Sequence, residues 1–404
     1  MNRVLTERTA TKWIYDNAFS RDRIGRIGVE LEWFVVRTKL PEQRLGIADI
    51  SSCLGLAGGH LPMGGTISFE PGGQLELSTA PADTLAECLE VAAGDLALIR
   101  GRAARHDLSL MGKGLDDRPA VRVVDLPRYV ALEHNYDQFG PSGRILMCNA
   151  ASVQVNIDAG DASPGWRGWR RRWWLVNTLG PIFMAMFANS PMSVGSMAQS
   201  GRQLLRFQSD PTRTDPLPLS GDPREAWVRY VLDAQVVGVS QAGSRALQRP
   251  VTGLTMRRWL RGAGPREVFL DDLRCHLQSV VPPVRPRGYL ELRMIDAQSD
   301  DNWVVPVVTV GALLDDPYAS AEAMRVVESL PRPAGREDWV NAARKAMSEH
   351  HFAEAAKRCM AAAIEALDRL EVPDWAHRLV LGFADAYTFR SRCPADDLVV
   401  EEAA

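Results

Sequence analysis

Ile67-Ser68-Phe69-Glu70-Pro71-Gly72-Gly73-Gln74-Leu75-Glu76-Leu77-Ser78 is the stretch on which the fold turns. Thr66 to Glu70 and Gln74 to Thr79 have the composition of strands. Pro71-Gly72-Gly73 between them supplies turn dihedrals, so the stretch predicts a β-hairpin. Side chains two apart in a strand share a face. Ser68 and Glu70 therefore share one, as do Gln74, Glu76 and Ser78, with Leu75 and Leu77 opposite.

The same phase recurs on both sides of the hairpin. Arg26 to Val36 is rich in β-branched and aromatic residues and predicts a strand. Glu30 and Glu32 share a face there, with Val29, Leu31 and Trp33 opposite. A strand at 151–158 puts Gln154 and Asn156 on one face and Val153, Val155 and Ile157 on the other. A strand from Gly288 to Ile295 pairs Glu291 with Arg293, and Leu290 with Leu292.

A sheet with one face in water is common and would explain any one of these strands. Solvated faces, however, carry Lys, Thr and Ser of mixed sign. This one collects five glutamates, an arginine, a glutamine and an asparagine, and no lysine. Converging carboxylates raise one another's pKa unless cations lie between them. Mg²⁺ takes a few carboxylates together with phosphate oxygens. The pattern points to a Mg²⁺–nucleotide site on an open sheet. Neither G-x-x-x-x-G-K-[ST] nor a strand–G-x-G-x-x-G–helix is present, so a P-loop or dinucleotide mode does not fit.

Helices are expected over 1–23, over 84–105 with a Thr84/Glu87 capping box, and over 166–188 with Pro181 kinking or dividing it. Residues 207–224 read as a Pro-, Asp- and Gly-rich loop. Helices at about 303–315, 336–349 and 353–371 follow. Strands and helices mix without a βαβ rhythm, so the expected class is α+β around an antiparallel or mixed sheet. The 404 residues carry 46% apolar and 24% charged side chains and a net charge of −3, an ordinary globular balance without the field of a nucleic-acid binder. The six cysteines form neither C-x-x-C nor a disulfide framework. Cys148 reads as buried and Cys53 as the more exposed thiol. Trp166, Trp169 and Trp173 share one helix face and read as core rather than a nucleic-acid or membrane patch. His350-His351 reads as helix surface. No stretch approaches the ~20 apolar residues of a membrane span, and the N-terminus lacks a signal-peptide pattern. A cytoplasmic chain with no nucleic-acid or membrane partner is the expectation.

At these residues the chain resembles the glutamate–cysteine ligases of the carboxylate–amine ligase superfamily. The similar pieces are Gly28-Val29-Glu30-Leu31-Glu32, Ile67 to Ser78, Ser152-Val153-Gln154-Val155-Asn156, Ala188-Asn189-Ser190-Pro191 and Val284 to Arg293. They span about residues 25–300. His276 to Arg287 makes the ergothioneine-pathway branch the nearest in likeness. The resemblance implies a curved antiparallel sheet related to glutamine synthetase, flanked by helices, with its active site on the concave polar face. It also implies one catalytic domain over 1–404, its sheet-forming core at about 25–300 and a helical part at about 303–390. The implied reaction joins the γ-carboxylate of L-glutamate to the amine of L-cysteine through a γ-glutamyl phosphate, with ATP as co-substrate and two or three Mg²⁺ ions.

By position, the resemblance implies that Glu32, Glu70 and Glu76 hold one metal group and that Glu30, Gln154 and Glu291 hold another. Arg293 is implied at the transferred phosphate, Arg285 as a second basic catalytic group, and Asn156 as a neighbouring substrate contact. Arg202, Asp210 and Arg213 resemble a family loop that touches substrate, and Arg128 echoes another such contact. Arg206 stands where the family commonly has Trp. An ordinary salt-bridged surface loop is the alternative for 202–213. No matched motif reads a thiol, so a ligase for a different amine is the alternative function. A non-catalytic sensor would be expected to have lost some of the glutamates, and all five are present.

Overall fold

The computed structural model describes residues 3–19, 25–55, 61–192, 197–240, 247–330 and 334–403. The chain opens with α1 (Glu7–Asn17), capped by the Thr6 side chain, and enters β1 (Ile27–Arg37). α2 (Ile47–Leu54) carries Cys53, the more exposed thiol of the sequence reading, which is half-buried. The hairpin follows as β2 (Thr66–Phe69) and β3 (Leu75–Ser78), with Ser68 opposite Glu76. Its turn is closed by bonds from Glu70 N to Gln74 O (2.9 Å) and Gly73 N to Glu70 O (2.8 Å). Gly72 has to be glycine, because a Cβ there would lie 1.8 Å from the Cys148 carbonyl oxygen. Gln74 fastens the turn from inside, accepting from Gly72 N and donating to Ala150 O.

α3 (Leu85–Ala104) begins as its capping residues dictate. Thr84 accepts from Glu87 N, while Glu87 reaches one residue further back than expected, to Asp83 N. Next come β4 (Leu108–Met111), α4 (Pro127–Tyr136), α5 (Ser142–Asn149), β5 (Ser152–Asp158) and α6 (Trp169–Met186). Pro181 neither ends nor divides α6. The helix is buried around the proline, and a Cβ at Gly180 would lie 2.0 Å from the Trp339 ring. Packing there overrides the one backbone bond that proline forfeits. α7 (Gly201–Gln208) and the short helix Pro211–Thr214 occupy ground expected to be partly loop. A small pair, β6 (Val239–Ser240) and β7 (Leu247–Gln248), precedes the last hairpin, β8 (Val284–Pro286) and β9 (Tyr289–Asp296).

The principal sheet is antiparallel throughout and runs β2-β3-β1-β5-β9-β8, with β4 also paired to β1. Its apolar face carries Leu31, Leu75, Leu77, Val155, Leu290 and Leu292, all wholly buried. α3, α6 and the helix Val304–Asp315 pack against it. This core continues into the helices Arg336–Lys345, His350–Ala366 and Asp374–Ala386 as one apolar cluster. Trp169 and Trp173 belong to it, as expected, whereas Trp166 precedes α6 and is only half-buried; Arg172 is buried too, bonded to Leu314 O, Asp315 and Asp158. His350 and His351 lie exposed at a helix start, and Cys148 is fully buried. No helix among the described residues is long and apolar enough to cross a membrane.

Candidate active site

Register places the polar side chains in rows across the sheet. Glu32 stands opposite Glu76, Glu30 lies between Ser78 and Gln154, and Asn156 faces Glu291, which faces Arg285. Above this face opens a cavity of about 760 Å³, within the ordinary size of small-molecule sites. Glu30, Glu32, Glu70, Glu76, Gln154, Arg285 and Arg293 line it from the sheet. Trp13 of α1, Arg128, Tyr129 and Tyr136 of α4, and Arg202 and Arg206 of α7 close its sides.

One end is acidic. Like charges directly opposed across strands destabilise a sheet, and Glu32 and Glu76 are so opposed. Burial first, then repulsion from its neighbours, raises the pKa of Glu30 and of Glu76; burial alone raises that of Glu32. Glu70 is pushed up to about 8 by burial and then by Glu76 and Glu32. Donors reach three of the four. Ser68 and Ser78 bond Glu76 (2.8 and 3.1 Å), Gln154 bonds Glu32 (2.7 Å) and Asn156 bonds Glu30 (3.0 Å). No described side chain donates to Glu70.

The chemistry of this set fits a hard cation, since a cation would replace both the missing donor and the missing charge balance. No three His, Cys, Asp or Glu side chains among the described residues stand as a ready-made chelate, so the implied triad Glu32, Glu70, Glu76 is not preformed. The arrangement suits a hard divalent cation held by one or two carboxylates together with ligand and water oxygens, not an all-protein cage.

The other end is cationic, and Glu291, expected at a metal, lies within it. Its carboxylate is completely buried and gripped by three guanidinium groups. Arg285 donates from both Nε and Nη2, the latter at 2.6 Å; Arg287 stands at 3.0 Å and Arg293 at 3.2 Å. Burial opposes its charge, yet Arg285 and Arg293 hold it well below the usual carboxylate range. Gln154, the other expected ligand, is likewise engaged. It accepts from Arg293 and donates to Glu32, coupling the two ends of the cavity.

A β-bulge aims Arg293. Val155 faces Leu292 and Val153 faces Ile295, so two residues of β9, Arg293 and Met294, oppose the single Gln154. The bulge frees carbonyls from the ladder, and α7 satisfies them. Arg202 Nη2 donates to Arg293 O (3.1 Å) and Ile295 O (2.7 Å), and Gln203 donates to Met294 O (3.0 Å). Arg202 Nε also binds Asp296 at 2.8 Å. Arg202, expected at substrate, therefore shapes the strand beneath the cavity, although it reaches the wall.

Arg213 does not reach the cavity. It is wholly buried, bonded to Asp210, Ser279 and Gln235 O, and Asp210 also caps the helix Pro211–Thr214. Arg202, Asp210 and Arg213 are thus internal struts rather than a solvated salt-bridged loop. Asn156 stops short of the cavity and orients Glu30 instead. Arg128 lines the cavity mouth, exposed and stacked on the Tyr129 ring at 4.6 Å.

Three groups escaped sequence reasoning. Arg287 lies in the turn just past β8, two residues after Arg285, and extending the i, i+2 pattern by one step could have found it. Tyr136, on α4, carries no strand signal. Asp296 lies beyond the bulge, where simple alternation misplaces it.

The profile of glutamate-cysteine ligase family 2 matches residues 26–378, and the chain belongs to that family. It is similar to the glutamate–cysteine ligase EgtA of Mycobacterium tuberculosis, with 34% identity over 398 residues, 96% of this chain and 88% of the relative. The protein of that name from Mycolicibacterium smegmatis is 36% identical over 363 residues, covering 86% and 82%. The chloroplastic glutamate–cysteine ligase of Arabidopsis thaliana is 32% identical over 267 residues, 62% of this chain and 49% of that one. Among solved structures, a bifunctional glutathione synthetase from Pasteurella multocida shares the fold, with a TM-score of 0.50 at 13% identity over 98% of this chain and 52% of that one.

Proposed function

We propose that this chain is an ATP-dependent glutamate–cysteine ligase acting in ergothioneine biosynthesis, with the whole chain as one catalytic unit. The observation that carries the reading is the cavity's division into a carboxylate end and an arginine end, joined through Gln154. The names of the EgtA relatives supply the substrates and the pathway.

A γ-carboxylate at neutral pH is a poor electrophile. Transfer of the ATP γ-phosphoryl group makes it an acyl phosphate; the cysteine amine then attacks the acyl carbon, loses a proton and expels phosphate. Such transfer depends on positioning and charge neutralisation rather than on a protein nucleophile. Glu32, Glu70 and Glu76, with Glu30 beside them, would hold two or three Mg²⁺ ions, which when bound offset phosphate charge. Arg293 meets the transferred phosphoryl group. Arg285 and Glu291 fix its approach, because Glu291 is shared by both guanidinium groups. Arg128 and Tyr129 at the mouth contact entering substrate.

The test is turnover by purified protein. Phosphate should be released from ATP only with both Mg²⁺ and glutamate present, and mass spectrometry should find γ-glutamylcysteine when cysteine is added. Phosphate release with cysteine but no glutamate would sink the acyl-phosphate scheme. A product with some other amine, and none with cysteine, would reassign the acceptor.

A further inference from the structure

Three guanidinium groups, of Arg202, Arg206 and Arg293, stand together on one wall of the cavity. Two of them are matched by carboxylates. Arg202 has Asp296 at 2.8 Å, and Arg293 has Glu291 at 3.2 Å together with Gln154. Arg206 has no ion-pair partner among the described residues. Its bond is from Nη1 to the Val281 carbonyl oxygen at 2.8 Å, and its Nε is buried with no partner. The residue is only 4% exposed, so water does not make up the deficit.

A buried charge without a partner costs several kcal/mol, so its place in a cavity wall calls for an anion that arrives with a ligand. Arg206 lines the cavity, and a guanidinium is the group that takes a planar carboxylate in two parallel bonds. Burial, and then the like charges of Arg202 and Arg293, push Arg206 down to about 9, which leaves it charged at neutral pH. Polyphosphate belongs toward the carboxylate end, where bound cations would offset its charge. Glu32 acts on Arg206 more weakly than Arg202 and Arg293 do.

We propose that Arg206 docks the α-carboxylate of an amino-acid substrate and so restricts the enzyme to amino acids that carry one. This rests on the ligase reading. Both L-glutamate and L-cysteine bring such a carboxylate to the cavity, and the experiment separates them.

The variants are Arg206→Gln and Arg206→Lys. In Arg206→Gln, KM for one of the two amino acids should rise about ten- to a hundredfold, the scale of one charge-assisted contact, and more than kcat falls. KM for ATP should not move. If the acceptor is the one held, wild-type protein prefers cysteine to cysteamine, and Arg206→Gln should lose that preference. If the donor is held, the lost preference is for glutamate over 4-aminobutyrate. Arg206→Lys keeps the charge without the fork and should fall between. Arg206→Gln should melt no lower than wild type, since an unpaired buried charge has been removed. Calorimetric titration of glutamate and of cysteine, without turnover, gives a second readout of the same loss. Unchanged KM and unchanged calorimetric affinity for both amino acids would overturn the docking role while leaving an active ligase. A rise confined to ATP would overturn it in favour of a phosphate contact. A wild-type protein that binds neither amino acid would take down both this role and the ligase reading.

Discussion

Arg285 lies directly across the β8–β9 ladder from Glu291 and takes both oxygens of its carboxylate. Neither group is in water: Arg285 is 7% exposed and Glu291 not at all. Removing one member of such a pair strands the other. Glu291→Gln should therefore cost roughly 3–5 kcal/mol of stability, the range for a broken buried pair. Denaturant unfolding measures it. Replacing Arg285 and Glu291 together by Met should recover part of the loss. Normal folding with a higher Mg²⁺ requirement would instead make Glu291 a metal ligand.

Arg293 supports a different expectation, because its guanidinium faces the cavity from the bulge. Arg293→Lys keeps a positive charge but loses the planar fork. Loss of one preorganised donor lowers kcat by roughly ten- to a thousandfold. KM for glutamate should change little, since the contact strengthens in the transition state. A variant with wild-type kcat would make Arg293 only a strut for Glu291.

Glu70 sets a pH dependence. Its ordinary value is 4.5 and burial, then Glu76 and Glu32, raise it to about 8. Between those values the folded protein keeps a proton that the unfolded chain has released. The stability this group contributes is full below about 4.5 and is lost as pH rises through about 8. The difference in Tm between wild type and Glu70→Gln should therefore shift in favour of the variant from pH 5 to pH 8. Stabilisation by Mg²⁺ with ATP should grow over the same window in wild type. A difference in Tm independent of pH would show that Glu70 is ionised in the folded protein.

The thiols report on the cavity. Burial pushes Cys148 up to about 11 and Cys88 and Cys359 up to about 12. Cys53 and Cys275 are half-buried, and Cys275 lines the cavity. Alkylation of native protein at pH 8, read by peptide mass spectrometry, should mark Cys53 and Cys275 first. ATP with glutamate should slow labelling of Cys275 and not of Cys53. Equal protection of both would place the substrates elsewhere.

What the sequence made legible was local. The hairpin, the acidic face and the apolar face follow from side chains two apart, and Thr84 announces the start of α3. What it hid was the partner of each charge. Arg202 and Arg213 look like surface cations, yet Arg202 binds Asp296, ninety-four residues away, and Arg213 reaches Ser279. A buried arginine and a solvated one are spelled alike. The pairing of Glu291 with Arg285 and Arg287 was hidden for the same reason, since spacing alone does not say which charges meet. The struts of 202–213 were taken for a loop because charged, Pro-containing segments favour loops until a tertiary partner is supplied.

The bulge at Arg293 and Met294 changes the parity of β9. Before it, even-numbered residues, Leu290 and Leu292, point into the apolar core; after it the odd-numbered Ile295 does. The strand can thereby present Arg293 and Asp296, an odd and an even position, to the same side. Length at this point is therefore a stricter requirement than identity. Deleting Met294 would swap every later residue of the strand to the opposite side, driving Asp296 into the apolar layer and parting it from Arg202. Substituting Met294 by another apolar residue would leave the count, and with it the aim of Arg293, intact.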